Sequence, residues 1–308
     1  MTSASQSLPV STWVTALRLP FTTVAVVPFA VGIYLASGGQ VYWPTAVAGL
    51  VAVLLICIGC YLFGEVTDQI EDRMTIDEGR TKFSGGTLSV VSGGLKPGSV
   101  SRAAVVCFVI ALLLGIYISV AQKSLLLFGL GVFGGVSAVI YSVPPIRLVA
   151  RGLGELFIAV CYGWLTLVTG YACATGHMPP ESWIYFWPVS ISIFNVIFIN
   201  EFPDFNPDSS AGKRNLLVRM GRERGAILYS VLSVMIAFSL VVLWFKYRYM
   251  SLPYLAALVP GVGLSLVLAW LVVGARRWKS NKSIEPVCAL TIVLNHICSL
   301  TVGVMVTW

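Results

Sequence analysis

Of 308 residues, 57% are hydrophobic and only 11% are charged, and the mean hydropathy is +0.87. A water-soluble chain carries about a quarter charged residues, so a soluble enzyme is excluded, and recurring apolar runs long enough to cross a bilayer exclude a disordered chain. The net charge of +7 does not point to nucleic acid, because the basic residues fall between apolar segments instead of forming a stripe.

The first nineteen residues, Met1 to Leu19, show no basic region ahead of an apolar core, so no cleavable signal peptide is expected. Apolar runs then predict nine membrane spans, at about 19–37, 44–63, 103–121, 124–142, 155–174, 183–200, 225–245, 252–275 and 286–307. An odd count puts the termini on opposite sides. The N-terminal side then holds Arg18, Arg73, Arg80, Lys82, Lys96, Arg102, Arg147, Arg151, Lys213, Arg214, Arg219, Arg222, Arg224, Arg276, Arg277, Lys279 and Lys282. Only Lys123, Lys246 and Arg248 fall on the other side, so the positive-inside rule makes the N-terminal side cytoplasmic. The two longest polar stretches, about 64–102 and 201–224, lie on that side too, and with no linker composition anywhere the chain reads as a single domain, 1–308. The seven Cys are odd in number and mostly inside apolar runs, which reads as small core side chains and not as a disulfide framework; Cys57 and Cys60 have CxxC spacing without a redox context.

Spans 2 and 6 each end in an acidic cluster at helical spacing. In the first, Glu65, Asp68 and Asp72 share one face if the helix continues; in the second, Asn200, Asp204 and Asp208 repeat every four residues. Like charges at this spacing cost roughly 0.2–0.5 kcal/mol per pair, and carboxylates near hydrocarbon cost more, so a divalent cation offsets both penalties. Hard carboxylate oxygens, one or two per ion with phosphate oxygens completing the shell, suit Mg²⁺. Basic residues follow each cluster: Arg73, Arg80 and Lys82 ahead of Ser84-Gly85-Gly86, then Gly212-Lys213-Arg214 and Arg219. Carboxylates for metal beside Lys and Arg for phosphate describe a diphosphate site.

At these residues the chain resembles the UbiA superfamily of intramembrane prenyltransferases. The family's first motif, Asn-Asp-x-x-Asp-x-x-x-Asp, reads here Gly64-Glu65-x-x-Asp68-x-x-x-Asp72. The second, in the branch similar to menaquinone-pathway enzymes that prenylate 1,4-dihydroxy-2-naphthoate, is matched by Asn200, Asp204, Asp208, Gly212, Lys213 and Arg214. Tyr141-Ser-Val-Pro144-Pro145-Ile-Arg147 with Gly152-Leu-Gly154-Glu155 also looks like that branch's connection between helices 4 and 5. Gly64 and Glu65 depart from the family pattern.

The resemblance implies an all-α integral membrane protein: nine transmembrane helices around a central cavity, with cytoplasmic helix-loop caps. It implies Mg²⁺, an isoprenyl diphosphate donor, an aromatic or other small hydrophobic acceptor, and surrounding membrane lipid. Asp68, Asp72, Asp204 and Asp208 would be the principal metal-binding and catalytic residues, with Glu65 and Asn200 supporting them directly or through water. Arg73, Lys82, Lys213 and Arg214 would hold the diphosphate. Tyr141 is a candidate to shield the cation or orient the acceptor, and Arg18 and Arg147 are candidates for an acceptor carboxylate. Glu155 opens span 5, where its charge suits the helix dipole. His296, next to Asn295 deep in span 9, reads as a functional polar pair or a helix–helix hydrogen bond. Two further readings stay open: a terpene cyclase, in which the cation is captured intramolecularly, and an ion-coupled transporter. Transport predicts charged groups near the bilayer midplane, whereas these carboxylates sit at span ends.

Overall fold

The computed structural model describes residues 10–77, 80–247 and 252–306, and every regular element among them is helical. Arg248 and residues 1–9 lie outside the described residues. Eight helices are long and apolar enough to cross a membrane, and a ninth span forms if one bent pair is counted as a unit. That pair is α1 (Val10–Ala16) and α2 (Leu19–Leu35), which meet at 45°. The bend falls at Arg18, in left-handed conformation, and Pro20 starts α2 without an N–H to continue the α1 ladder.

Next come α3 (Trp43–Thr67) and the short α4 (Gln69–Asp77). The two are separated at Asp68, whose φ of −102° and ψ of 20° end the first helix. The expected single helical face for Glu65, Asp68 and Asp72 is therefore broken at its middle residue. α5 (Pro97–Ala121) and α6 (Leu125–Ser142) follow, with Pro97 opening α5 six residues earlier than the apolar run alone suggests. α7 (Gly154–Thr175) passes through a π-helical stretch at Ala159–Leu165. α8 (Ser182–Ser210) begins irregularly and becomes regular α-helix over Ile191–Ser210. The short α9 (Leu216–Met220) precedes α10 (Arg222–Tyr247), α11 (Leu252–Ala269, then a π turn to Gly274) and α12 (Asn281–Val306).

The largest departure from the expected spans is at α8, which continues ten residues past Asn200 through Pro203 and Pro207. Each proline removes the N–H that would satisfy the carbonyl four residues earlier. Both carbonyls find donors on or beside α12: Cys288 Sγ donates to the Ile199 carbonyl at 3.7 Å, and Asn281 Nδ2 donates to that of Pro203 at 3.2 Å. The helix survives because its neighbour replaces the lost bonds. That continuity carries Asn200, Asp204 and Asp208 on one unbroken element.

α2 packs against α3, α7 and α12, while α3 also contacts α5 and α6; α8, α10, α11 and α12 form the other half of the bundle. The α2–α7 contact uses reciprocal glycines. A Cβ at Gly32 would overlap the Leu167 carbonyl, and one at Gly170 would overlap that of Phe29. Backbones approach this closely only where side chains are absent, the usual device of helix pairs in lipid. The largest buried cluster, including Phe198, Phe202, Tyr229, Leu240 and Leu294, joins α8, α10 and α12. Asn295 donates to Ser192 Oγ at 2.9 Å and His296 Nε2 meets Thr23 Oγ1 at 3.1 Å, so both make the helix–helix bonds that were one of their two expected roles. All seven Cys are free.

Candidate active site

The two acidic clusters meet at one end of the bundle. Lys213, in the turn after α8, lies 3.5 Å from Asp68 and 3.4 Å from Asp208, and so bridges the clusters. Asn215 fixes that turn. It is buried, its Nδ2 donates to Asp208 Oδ2 at 2.8 Å, and its Oδ1 caps α9 by accepting the Val218 N–H at 2.8 Å. Glu155, at the start of α7, accepts the Leu216 N–H at 2.7 Å and ties the same turn to the α6–α7 connection. Arg147, in left-handed conformation, donates to Asp68 at 2.8 Å and to Glu71 at 2.6 Å.

The second pair of carboxylates faces a glycine turn. The Gly85 N–H donates to Asp204 Oδ2 at 2.5 Å, and a Cβ on Gly85 would lie 3.9 Å from Asp72 Oδ1. Gly86 adopts φ +56°, and a Cβ there would overlap the Asp72 carboxylate, so only glycine allows this approach. Arg80 donates to the Gly86 carbonyl. Glu65 accepts the N–H groups of Thr87 and Ser89.

Fields differ sharply across these groups. Burial opposes ionisation of Asp68, yet Lys213 and Arg147 outweigh it and hold the carboxyl below its ordinary range. Lys213 is pushed well up despite its burial, by Asp208 and Asp68. Asp72 is raised to about 7 by burial and by the neighbouring charges of Asp68 and Glu65. A proton and a metal ion therefore compete for Asp72 near neutrality. Half-saturating Mg²⁺ should rise about tenfold between pH 8 and pH 6, because the ionised fraction of a group titrating at 7 falls by that factor. Mg²⁺ titrations of diphosphate turnover at the two pH values check this; a flat profile would show that Asp72 takes no part.

Among the motif residues, Asp72 Oδ2, Asp204 Oδ1 and Asn200 Oδ1 are buried oxygens without hydrogen-bond partners, open to a cation. All are hard donors of the kind Mg²⁺ takes. Among the described residues no three His, Cys, Asp or Glu converge into a ready chelate.

Among the described residues, the other expected site residues make no ion pair within this cluster. Arg73, Lys82 and Arg214 are exposed. Arg18 stacks over Phe21 and Tyr61, at 4.6 Å and 5.7 Å from their ring centres. Tyr141 packs beside Gly154 within electrostatic reach of Lys213, Glu155 and Glu201. Asn215 and Glu155 were not legible as site residues, since each acts through a partner in another element.

Below Tyr141 opens an apolar cavity of about 420 Å³ between α2, α3, α5, α6 and α7. Its walls include Phe29, Gly49, Ile118, Leu127, Gly134, Gly135 and Tyr162, so it runs along α6 from Tyr141 toward Leu127.

The model of the UbiA prenyltransferase family matches residues 25–285. The chain belongs to this family. Among similar proteins is 1,4-dihydroxy-2-naphthoate octaprenyltransferase of Bacillus subtilis, 28% identical over 195 residues, which are 63% of this chain and 60% of that protein. The alignment thus spans about three fifths of that relative. The 2-carboxy-1,4-naphthoquinone phytyltransferase of Synechocystis is 26% identical over 251 residues, 80% of this chain and 78% of that protein. Among solved structures, a UbiA homologue from Archaeoglobus fulgidus bound to DMAPP and Mg²⁺ shares the fold, with a TM-score of 0.65 at 16% identity over 95% of this chain and 99% of that one.

Proposed function

We propose that this UbiA-family member transfers a polyprenyl group from an isoprenyl diphosphate to an aromatic acceptor, 1,4-dihydroxy-2-naphthoate or a similar quinone precursor, with Mg²⁺ as cofactor. One observation carries the reading: Tyr141, a wall residue of the apolar cavity, lies within electrostatic reach of Lys213, which bridges the two carboxylate clusters, so a charged head and a greasy tail have neighbouring places. The relatives named for naphthoate-type acceptors support the acceptor class. The DMAPP and Mg²⁺ held by the Archaeoglobus homologue support the donor and the metal. The chain acts as a single catalytic unit, with its polar end on the cytoplasmic side where the Lys and Arg residues gather.

Asp68, Asp72, Asp204 and Asp208, supported by Asn200, would hold Mg²⁺, which when bound neutralises charge developing on the departing diphosphate. Lys213 lies between the clusters, where its ammonium meets diphosphate oxygens as a point charge. Breaking the allylic C–O bond sends its electron pair to the diphosphate and leaves an allylic cation. The Tyr141 ring at the cavity mouth shields that cation from water, and the acceptor ring captures it with loss of a proton. Arg147 is engaged by Asp68 and Glu71, so in this reading it orders the first cluster; Arg18, stacked on two rings, remains the candidate for an acceptor carboxylate.

The cavity sets a length scale. From Tyr141 to Leu127 is fourteen residues of α6, about 21 Å of helix. An extended isoprene unit of four bonds spans roughly 5 Å, so about four units fit. Gly135→Leu, six residues below Tyr141 and with open space around its Cα, should lower kcat/KM for a four-unit donor about tenfold or more while sparing dimethylallyl diphosphate. Equal losses for both donors would show that the tail lies elsewhere.

Acceptor identity is tested by incubating the protein with Mg²⁺, geranylgeranyl diphosphate and either 1,4-dihydroxy-2-naphthoate or 4-hydroxybenzoate, then identifying the organic product by mass spectrometry. A prenylated naphthoquinol is expected. A cyclised hydrocarbon formed without acceptor would establish a cyclase instead.

A further inference from the structure

The first motif departs from the family pattern at Gly64 and Glu65, and the structure gives Glu65 a different task from the carboxylates around it. Glu65 is 2% exposed at the end of α3. One oxygen accepts the Thr87 N–H and the other accepts the Ser89 N–H, the latter at 3.2 Å. Neither oxygen is left without a partner, and both partners are backbone amides of one turn. Asp68 and Asp208 are instead met by the side chains of Arg147, Thr67, Lys213 and Asn215, and Asp72, Asp204 and Asn200 each keep a free oxygen. Thr87 Oγ1 and Ser89 Oγ are 2.5 Å apart, so the two hydroxyls brace the same turn.

The turn held this way touches both acidic clusters. Its Gly85 N–H bonds Asp204 Oδ2, and its Gly86 closes on the Asp72 carboxylate. The unpartnered Asp72 Oδ2 lies against the Gly86 backbone, and Asp204, whose Oδ1 has no partner, is held to Gly85 through its other oxygen. An aspartate at position 65, shorter by one C–C bond of about 1.5 Å, would not reach both amides. At Gly64 a Cβ would meet nothing within 4 Å, so neighbouring packing does not require the glycine, and it presents no side-chain oxygen.

We infer that Glu65 is a positioning residue, a latch that fixes the 84–89 turn against Asp72 and Asp204, and not a metal ligand. The inference uses the proposed diphosphate-site reading for its catalytic consequence alone. Glu65 acts through the Gly85 N–H and the Gly86 contact, which set where the free oxygens of Asp204 and Asp72 point. A carboxylate accepting two backbone amides makes two charge-assisted hydrogen bonds, strong enough to order a glycine-rich turn.

The test uses the full-length protein in detergent with Glu65→Asp and Glu65→Gln, in two arms. Peptide-level hydrogen exchange over 84–90, measured without Mg²⁺, should rise tenfold or more in Glu65→Asp and less in Glu65→Gln, which keeps one acceptor oxygen; amides of α3 stay unchanged as the control for folding. Half-saturating Mg²⁺ for pyrophosphate release should rise more in Glu65→Asp than in Glu65→Gln, following the exchange, whereas a direct metal ligand would lose more in Glu65→Gln, which removes the charge. A smaller rise in exchange over 84–90, or a larger shift in half-saturating Mg²⁺ in Glu65→Gln than in Glu65→Asp, would overturn the assignment. The exchange arm needs no turnover, so it reads the latch separately from any failure of the prenyl-transfer reading.

Discussion

Asp68→Ala and Asp204→Ala should each lower prenyl-diphosphate turnover about 10³-fold or more, the equivalent of about 4 kcal/mol of transition-state stabilisation. The two substitutions act on different halves of the site. Loss of Asp68 frees Arg147 and Lys213 from a shared anchor, while loss of Asp204 removes an unpartnered buried oxygen and releases the Gly85 N–H. Both variants should insert and purify like the parent, because neither aspartate belongs to the apolar contacts that build the bundle. Initial rates of pyrophosphate release at saturating Mg²⁺ measure the effect; near-parental rates in either variant would remove that residue from the site.

Lys213→Ala should be nearly as damaging and in a second way as well. The ammonium is the cation that bridges Asp68 and Asp208, so its removal leaves two carboxylates facing each other with Arg147 as the remaining cation at Asp68. Breaking a buried pair from one side costs about 3–5 kcal/mol, and loss of a charge aimed at a leaving diphosphate costs about 10²–10³ in rate. Lower thermal stability without ligand and a fall of that size in kcat/KM are expected together. Raising Mg²⁺ should restore part of the stability, since the ion replaces the missing positive charge. Lys213→Arg keeps the charge but spreads it over a planar fork and should recover only part of the activity. An unchanged melting temperature in Lys213→Ala would contradict the bridging geometry.

Much of this architecture was legible in the sequence because its signals are local. Apolar runs marked the spans, and fourfold spacing marked Asn200, Asp204 and Asp208 as one face. What stayed hidden depends on partners distant in the chain. Pro203 and Pro207 each remove a hydrogen bond of the helix, and the donors that take their place, Cys288 and Asn281, come from the last span. The break at Asp68 was hidden for a related reason: nothing in Thr67-Asp68-Gln69 is a strong stop signal. Arg147 suited an acceptor carboxylate by its position, yet its guanidinium reaches back to Asp68 and Glu71 across nearly eighty residues.

Contacts made by backbone amides were the least visible. Glu65 shares its spacing with the metal-facing aspartates, and spacing cannot show that its oxygens accept Thr87 and Ser89 N–H groups. Gly85 and Gly86 could equally have been an ordinary turn. Their close approach to Asp204 and Asp72 appears only once two elements far apart in sequence are brought together.

The central claim is that the joined acidic clusters form one Mg²⁺-dependent diphosphate site opening on the apolar cavity. Its most direct test is pyrophosphate release from geranylgeranyl diphosphate by the detergent-purified protein, with and without Mg²⁺, in the parent and in Asp204→Ala. The account predicts release in the parent that requires Mg²⁺, stops with EDTA and is absent in the variant. Release insensitive to EDTA, or equal in parent and variant, would contradict it.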